Sequence, residues 1–450
     1  MTPSLLRAFL TTSALFLPTP TFLLAQEQKP AHEKPNIIFF LADDLGLDGV
    51  ACYGSDTYKG KTPNIDALAH GGIRFETCYS TPLCGPSRCM LMTGRYPFRT
   101  GGITNNSWRN GGPGAVSTHE HPIARLLKEH GYATCQAGKW RQIGETPREW
   151  GFDEYCTDPS PAGWYWRRQY DKNGGIIRSE KAVYCPDMVQ RFAMDFMERH
   201  QHRPFFLYYA THLVHLPMEP TPDSAAHLQP LTPRGGGPGD RGRKPTPAEE
   251  LALYVDNIAY MDKQLGQLVH ELDRLHLREK TLIVFSGDNG TVGQFAAPIG
   301  GRMIEGHKGQ MLEGGSRVPL IANWKSVTPP GKVVKDLIDF SDLYPTFAET
   351  AGAKLPAHLV IDGHSFAPQL HGRPGHPRPW VYVQLGNQWY VRSHDWKLTE
   401  KGELFEMHDA PFVEKHIPAN SQEAGARTAR ENLHKVLASL HPAGGKIDKD

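Results

Sequence analysis

The chain has no surplus of charge of either sign: 49 Lys and Arg stand against 48 Asp and Glu, a net of +1 over 450 residues. That balance excludes the polyelectrolyte signature of a nucleic-acid binder. Beyond residue 25 there is no run long and apolar enough to span a bilayer. No internal repeat is apparent, which excludes repeat architectures. Cysteine is scarce, and its seven copies all lie before residue 186, so no disulfide framework can hold the second half of the chain.

What is present is a chain that is 39% apolar, with 45 Gly and 37 Pro, the composition of a globular, loop-rich enzyme. Its length suits one large domain and a smaller one. Residues 1–25 have the layout of a targeting segment. Arg7 supplies the positive end, and Leu15–Leu17 with Phe22–Ala25 supply the apolar stretch before Gln26. Pro18 and Pro20 make it a poor membrane helix. No Cys follows the expected cleavage point, so a lipid anchor is not expected. The chain reads as an exported protein, periplasmic or secreted, and export permits disulfides.

From Lys34 the pattern alternates between buried strands and amphipathic helices. Lys34–Ala42 is a continuous apolar run, the mark of a strand covered on both faces. A short helix follows, with Thr62 as its cap, Pro63 at its first position and Ile65, Leu68 and Ala69 on one face. Helix His121–His130 leads to strand Tyr132–Ala137, and helix Asp187–Arg199 to strand Pro204–Ala210. A long helix from Ala248 to about His276 puts Leu251, Val255, Ile258, Leu265, Leu268, Leu272 and Leu275 on one stripe. It feeds strand Thr281–Ser286, and Val318–Asn323 is a further apolar run. The expected fold is an α/β sandwich around a central, mostly parallel sheet. The pattern changes after residue 375. Short alternating segments (Trp380–Gln384, Gln388–Arg392, Trp396–Glu400) and a polar helix near Glu423–Leu440 predict a C-terminal subdomain, 376–450, beside a catalytic domain, 26–375. Gln229–Pro247, rich in Pro, Gly and Arg, reads as a surface connector.

The chemistry centres on Cys84-Gly85-Pro86-Ser87-Arg88, followed by Thr93-Gly94-Arg95. Pro86 suits the first turn of a helix, which places Cys84 at its start, where free N–H groups favour an anion. Arg88, one turn on, reaches back to the same spot. Thiol, helix start and guanidinium together describe an oxyanion site. A buried structural Cys is the plain alternative. A phosphatase loop C-x5-R fails from Cys84, where Met90 takes the place of the Arg; from Cys89 it reaches Arg95, but through an apolar helix face. Asp43-Asp44 and Asp288-Asn289 each end a predicted strand. They offer oxygen donors with no Cys or His among them, a set that suits Ca²⁺ or Mg²⁺ rather than Zn²⁺. Ligands of open α/β sheets bind beyond the carboxyl ends of the strands, and these motifs all sit there.

Cys84–Arg88 with Thr93–Arg95 resembles the signature of the type I sulfatases of the alkaline phosphatase superfamily. The resemblance extends in order through Thr62–Ala69, Gly138-Lys139-Trp140, Thr211–Pro217 with His215, and Lys308 with Glu313–Pro319. It implies an alkaline-phosphatase-like sandwich and oxidation of Cys84 by a formylglycine-generating or sulfatase-maturing enzyme to Cα-formylglycine, whose hydrate is the nucleophile. It also implies one divalent cation, Ca²⁺ or else Mg²⁺, on Asp43, Asp44, Asp288 and Asn289. Lys139, His215 and Lys308 would bind sulfate and move protons, and Arg88 would hold the formylglycine and the metal site in place. Converting Cys84 would leave six cysteines; among them Cys89 and Cys135, in an apolar helix and strand, read as buried free thiols.

The chain departs from the family at Arg141, which stands where Gly-Lys-x-His has its His. Arg cannot lose a proton in this range, so either another residue or water serves as base there or the activity is altered. Trp108 and the run Trp164–Arg168 could form a platform and basic rim for a sugar, but read better as half-buried loop anchors. The expected activity is hydrolysis of a sulfate ester, with a sulfated carbohydrate as substrate because an exported enzyme meets polysaccharides. A phosphodiesterase or phosphonate monoester hydrolase of the same superfamily, and a non-catalytic binding protein with unmodified Cys84, remain as rivals.

Overall fold

The computed structural model describes residues 34–105, 116, 120–140, 146–158, 165–228 and 245–444. In it the apolar run after Lys34 forms β1 (Asn36–Ala42), every residue of which is buried. Nine further strands share its sheet: β2 (Ile73–Tyr79), β3 (Ala133–Gly138), β4 (Glu154–Thr157), β5 (Trp166–Lys172), β6 (Gly175–Tyr184), β7 (Phe205–Ala210), β8 (Thr281–Gly287), β9 (Arg317–Trp324) and β10 (Lys332–Asp339). Their order is β10-β2-β9-β8-β1-β7-β3-β4-β5-β6. β8, β1, β7, β3 and β4 run parallel, as do β10 and β2. β9 and β5 run against both neighbours. The expected mostly parallel α/β sheet is therefore present.

The helical segments are α1 (Pro63–His70), α2 (Cys84–Thr93), α3 (Pro97–Thr100), α4 (Ile123–Glu129), α5 (Cys185–Arg199), α6 (Pro247–Arg274), α7 (Glu313–Ser316), α8 (Leu343–Thr350), α9 (Ala367–Leu370) and α10 (Ala424–Leu440). The two-residue period of β1 divides them into two layers. Ile37, Phe39 and Leu41 pack with α2, α4 and α8. Ile38, Phe40 and Ala42 pack with α1, α5 and α6. A second, antiparallel sheet follows: β11 (Val381–Leu385), β12 (Gln388–Arg392), β13 (Trp396–Thr399), β14 (Leu404–Glu406) and β15 (Lys415–Ile417). Its Val391, Leu398 and Leu404, with Ala429 and Leu433 of α10, join the core on the α2 side of the large sheet.

Three local readings change. β2, β10 and the hairpin β5–β6 carry few continuous apolar runs, and no strand was expected there; β6 is largely exposed. Leu251 lies in the first turns of α6 and is 40% exposed, so it leaves the buried stripe. Thr62 makes no side-chain cap for α1 and instead accepts from Ala51 N–H at 3.0 Å. The cap comes from Asp262 of α6, whose carboxylate accepts from Asn64 and Ile65 N–H at 3.0 and 2.8 Å. All seven cysteines are free, and Cys89 and Cys135 are buried as expected. Among the described residues no helix is long and apolar enough to cross a membrane. The targeting segment 1–25, Trp108, Arg141, Trp164 and residues 229–244 of the connector lie outside the described residues.

Candidate active site

The register of the parallel strands brings the motifs to one level. Ala42 of β1 pairs with Gly287 of β8, Leu41 with Ala210 of β7, and Ala210 with Gly138 of β3. The residues that follow these ends therefore meet: Asp43 and Asp44, Asp288 and Asn289, Lys139, and the loop from Thr211 to His215. Gly287 permits this closeness, since a Cβ there would lie 1.9 Å from the carbonyl of Leu45. β2 delivers α2 to the same rim. Ser87 ties the turn, its hydroxyl accepting from Thr81 N–H at 3.0 Å and donating to the carbonyls of Thr81 and Leu83 at 3.0 and 3.1 Å. Gly94, at φ 67°, ends α2 in the left-handed region that a Cβ would strain. Because β9 runs the other way, its start faces the same rim and brings Lys308 from the preceding loop.

Cys84 is the first residue of α2 and is 1% exposed. Its Sγ lies 3.5 Å from Asp43 Oδ1, 3.7 Å from Asp44 Oδ1 and 3.6 Å from Lys139 Nζ. Lys139 Nζ sits 2.5 Å from Asp43 Oδ2, and Lys308 Nζ 2.5 Å from Asp44 Oδ2. Arg88 donates from Nε and Nη2 to Asp288 Oδ2 at 2.9 and 2.8 Å. Asp44 adopts φ 65°, a strained value for a residue with a side chain. It is fixed there by its N–H to Asp288 Oδ1 at 3.0 Å and by Asn289 Nδ2 to its Oδ1 at 3.0 Å. His215 Nε2 stands 3.7 Å from Asp44 Oδ2. Its Nδ1 meets the carbonyl of Leu216.

Three buried carboxylates thus face three cations. Burial alone would raise Asp43, but the charges of Lys139, Arg88 and Lys308 hold its carboxyl well below the usual range. Burial and the charge of Asp43 push Asp288 up. Burial, then Asp288, push the Cys84 thiol well above its ordinary value, so the unmodified sulfur is a poor nucleophile near neutrality. The Cys89 alternative is closed as well: burial pushes its thiol up to about 12, and Arg95 pairs with Glu120 at 3.0 Å. Burial and then Lys139 lower His215 to about 4, which leaves it neutral at pH 7.

The donor set can be tested against a hard cation on this geometry. Asn289 Oδ1 is buried and accepts no hydrogen bond, although its Nδ2 is engaged. An unpartnered oxygen beside three carboxylates is what a divalent cation would satisfy. Asp43, Asp44, Cys84 and His215 can each offer a ligand atom within 4.8 Å of the others. The residues present fit Ca²⁺ or Mg²⁺.

Nine of the ten residues singled out from sequence are brought together here; Arg141 lies outside the described residues. Sequence reading passed over two neighbours. Tyr208 of β7 points its hydroxyl at Arg88 Nη1, 3.4 Å away. His212 is buried with Nε2 3.1 Å from Asp158 Oδ1, and only its place in the Thr211–Pro217 block could have flagged it. Tyr165 and Trp166 are anchors rather than a platform. The Tyr165 hydroxyl donates to the carbonyl of His215 at 2.6 Å, and Trp166 Nε1 donates to that of Pro220 at 2.8 Å.

Comparison with known proteins places the chain in a family. A family model described as Sulfatase matches residues 35–353. Human arylsulfatase A is 33% identical over 384 residues, covering 77% of this chain and 70% of that one. The N-acetylgalactosamine-6-sulfatase of Canis lupus familiaris is 31% identical over 420 residues, 83% of this chain and 74% of its own. The crystal structure of Ps i-CgsB superposes with a TM-score of 0.74 at 28% identity, covering 91% of this chain and 93% of that one. Ps i-CgsB has also been solved in complex with k-i-k-neocarrahexaose.

Proposed function

The chain belongs to the sulfatase family and is a sulfuric ester hydrolase; from that premise we propose that it desulfates a carbohydrate through a formylglycine made from Cys84. The observation that carries this reading is the convergence on Cys84 Sγ of Asp43, Asp44 and Lys139 within 3.7 Å. Asp43, Asp44, Asp288 and Asn289 would hold one divalent cation, Ca²⁺ by preference, and the orphan Oδ1 of Asn289 supports that assignment. When bound, the cation offsets negative charge on the ester oxygens and at position 84. Once hydrated, the aldehyde supplies two hydroxyls, one to attack sulfur and one to expel sulfate afterwards.

The other roles fall to this chain's own side chains. Lys139, beside both Sγ and Asp43, binds a sulfate oxygen while keeping Asp43 ionised. Lys308, beside Asp44, would bind a second sulfate oxygen, and burial of both ammonium groups strengthens such contacts. Arg88, wholly buried between Asp288 and Asp43, orients the carboxylates and the start of α2. Protonated at Nε2, which faces the site, His215 would give that proton to the departing alkoxide oxygen and return to the neutral imidazole. Arg141 would supply a permanent positive charge with no proton to exchange.

A sulfated carbohydrate substrate is supported by two relatives: one is named for N-acetylgalactosamine 6-sulfate, and Ps i-CgsB binds an oligosaccharide. Maturation requires a formylglycine-generating or sulfatase-maturing enzyme. Residues 1–25 would direct export to the periplasm or outside, ahead of a catalytic domain, 26–375, and a C-terminal subdomain, 376–450. Parallel assays of aryl sulfates, aryl phosphates and phosphodiesters, with peptide mass spectrometry across Cys84, test the proposal. The expected result is preferred cleavage of sulfate by protein carrying an aldehyde at position 84. Preferred phosphodiester cleavage, or full activity with an intact thiol, would overturn it.

A further inference from the structure

The loop that carries Lys308 is held at its middle by the active-site rim, Lys308 and Gly309 N–H donating to the carbonyls of Thr291 and Pro82 at 3.0 and 2.8 Å, and toward both ends by the C-terminal sheet. Its two ends are joined, Gly314 N–H donating to the carbonyl of Glu305 at 2.8 Å. Four hydrogen bonds then reach it from the second sheet and its β14–β15 connection. Glu305 N–H donates to the carbonyl of Pro411 at 3.0 Å, and its carboxylate accepts from Glu414 N–H at 2.5 Å. Glu313 N–H donates to Glu414 Oε1 at 2.8 Å. Lys397 of β13 donates to the carbonyl of Met311 at 2.8 Å and pairs with Glu414 Oε2 at 2.5 Å. Lys397 is 2% exposed and Glu414 7%. The ammonium also lies 4.4 Å from the Tyr390 ring centroid.

A sealed ion pair of this kind is poor evidence for stability, because the cost of desolvating both charges offsets much of their attraction. What it supplies is direction: two charges and two backbone groups fix one arrangement of the loop. Lys308 Nζ must come within contact range of a sulfate oxygen, and a misplacement of about 1 Å at such a point can cost roughly 100-fold. We infer that Lys397 and Glu414 are positioning residues, through which the C-terminal sheet sets the place of the Lys308 ammonium in the active site.

This inference rests on the role of Lys308 proposed above, and a double-mutant cycle separates the two. Lys397→Met and Glu414→Gln are made in the full-length, matured enzyme, with and without Lys308→Ala. For each variant kcat, KM, the affinity for inorganic sulfate and the melting midpoint are measured. With Lys308 present, each substitution should lower kcat/KM by roughly 10–100-fold and weaken sulfate binding. In the Lys308→Ala background the same substitution should cost no more than about twofold, the range of independent sites. Lys397→Arg, which keeps the charge, should restore part of the loss, and stands in if Lys397→Met does not fold. Equal losses in both backgrounds, or losses that follow the melting midpoint alone, would overturn the positioning role. If the wild type cleaves phosphate esters and not sulfates, the substrate reading falls, while the cycle read on those esters still judges the positioning role.

Discussion

Two clusters of buried charge lie only a few residues apart on the chain, one reached by Lys308 and the other by Glu313, and they are built to different ends. In the second, Glu313 accepts from the Tyr79 hydroxyl at 2.9 and 3.0 Å, from Arg392 Nε at 3.1 Å and from Arg317 Nη1 at 3.2 Å. Glu414 accepts from Glu313 N–H and from Lys397. All four carboxylate oxygens have protein donors, and the side chains of Glu313, Glu414, Arg392 and Lys397 are at most 3% exposed. The first cluster matches three carboxylates with three cations, yet leaves Asn289 Oδ1 without a partner. It also lets Lys308 and His215 reach solvent, at 18% and 20% exposure. The closed cluster joins two sheets. The open one keeps an amide oxygen unpartnered and two side chains in contact with solvent.

Substitution should expose that difference, most strongly at the centre of the open cluster. Cys84→Ala removes the proposed precursor of the nucleophile and should lower kcat by roughly 10⁴-fold or more, with little change in melting midpoint because the thiol makes only long contacts, 3.5–3.7 Å, to Asp43, Asp44 and Lys139. Retention of even a tenth of the activity would break the assignment of position 84. Next comes the closed cluster. Glu313→Ala strands Arg392 and Arg317 beside each other without their common anion, a change worth about 3–5 kcal/mol. Denaturant unfolding should show it. Asp288→Ala, in the open cluster, should cut activity by roughly 100-fold and weaken Ca²⁺ binding in parallel. It should lower the melting midpoint less than Glu313→Ala does, since Asp288 is opposed by Asp43 and Arg88 keeps Asp43 at 3.6 Å. A larger loss of stability from Asp288→Ala than from Glu313→Ala would erase the distinction.

The open cluster was far more legible in the sequence than the closed one, for a physical reason. Strands buried on both faces, such as β1, β7 and β8, declare themselves as apolar runs, and in a parallel sheet their carboxyl ends must lie together. Any Asp, Lys or His just past such an end is thereby placed. Glu313 and Glu414 carry no such mark, because their partners come from β2, β9, β12 and β13, and nothing local pairs residues a hundred positions apart. The Asp262 cap on α1 was hidden in the same way, 198 residues from Asn64. β2 and β10 escaped notice because their half-covered faces alternate polar and apolar residues, and the β5–β6 hairpin because it stands largely exposed at the sheet edge.

The smallest effect expected is in the pH dependence of the closed cluster, and its sign is fixed by Glu313. Burial alone would raise the Glu313 carboxyl, but Arg392, then Arg317 and Lys397, outweigh it and hold the folded-state pKa below the ordinary value. A carboxyl of depressed pKa binds fewer protons folded than unfolded, so its contribution to stability is complete above the unfolded value of about 4.3. The contribution is lost as pH falls from there through the folded value, every tenfold difference in acidity between the two states being worth about 1.4 kcal/mol. Glu313→Gln keeps the shape and removes the ionisation. The gap in unfolding free energy between wild type and Glu313→Gln should therefore stay constant from pH 8 to 5 and close as the solution becomes more acid. Glu414 does not produce this closing, because burial, against Lys397, raises its pKa and gives the opposite slope. A gap that widens below pH 4, or that already varies between pH 8 and 6, would mean that the closed cluster does not hold Glu313 as an anion.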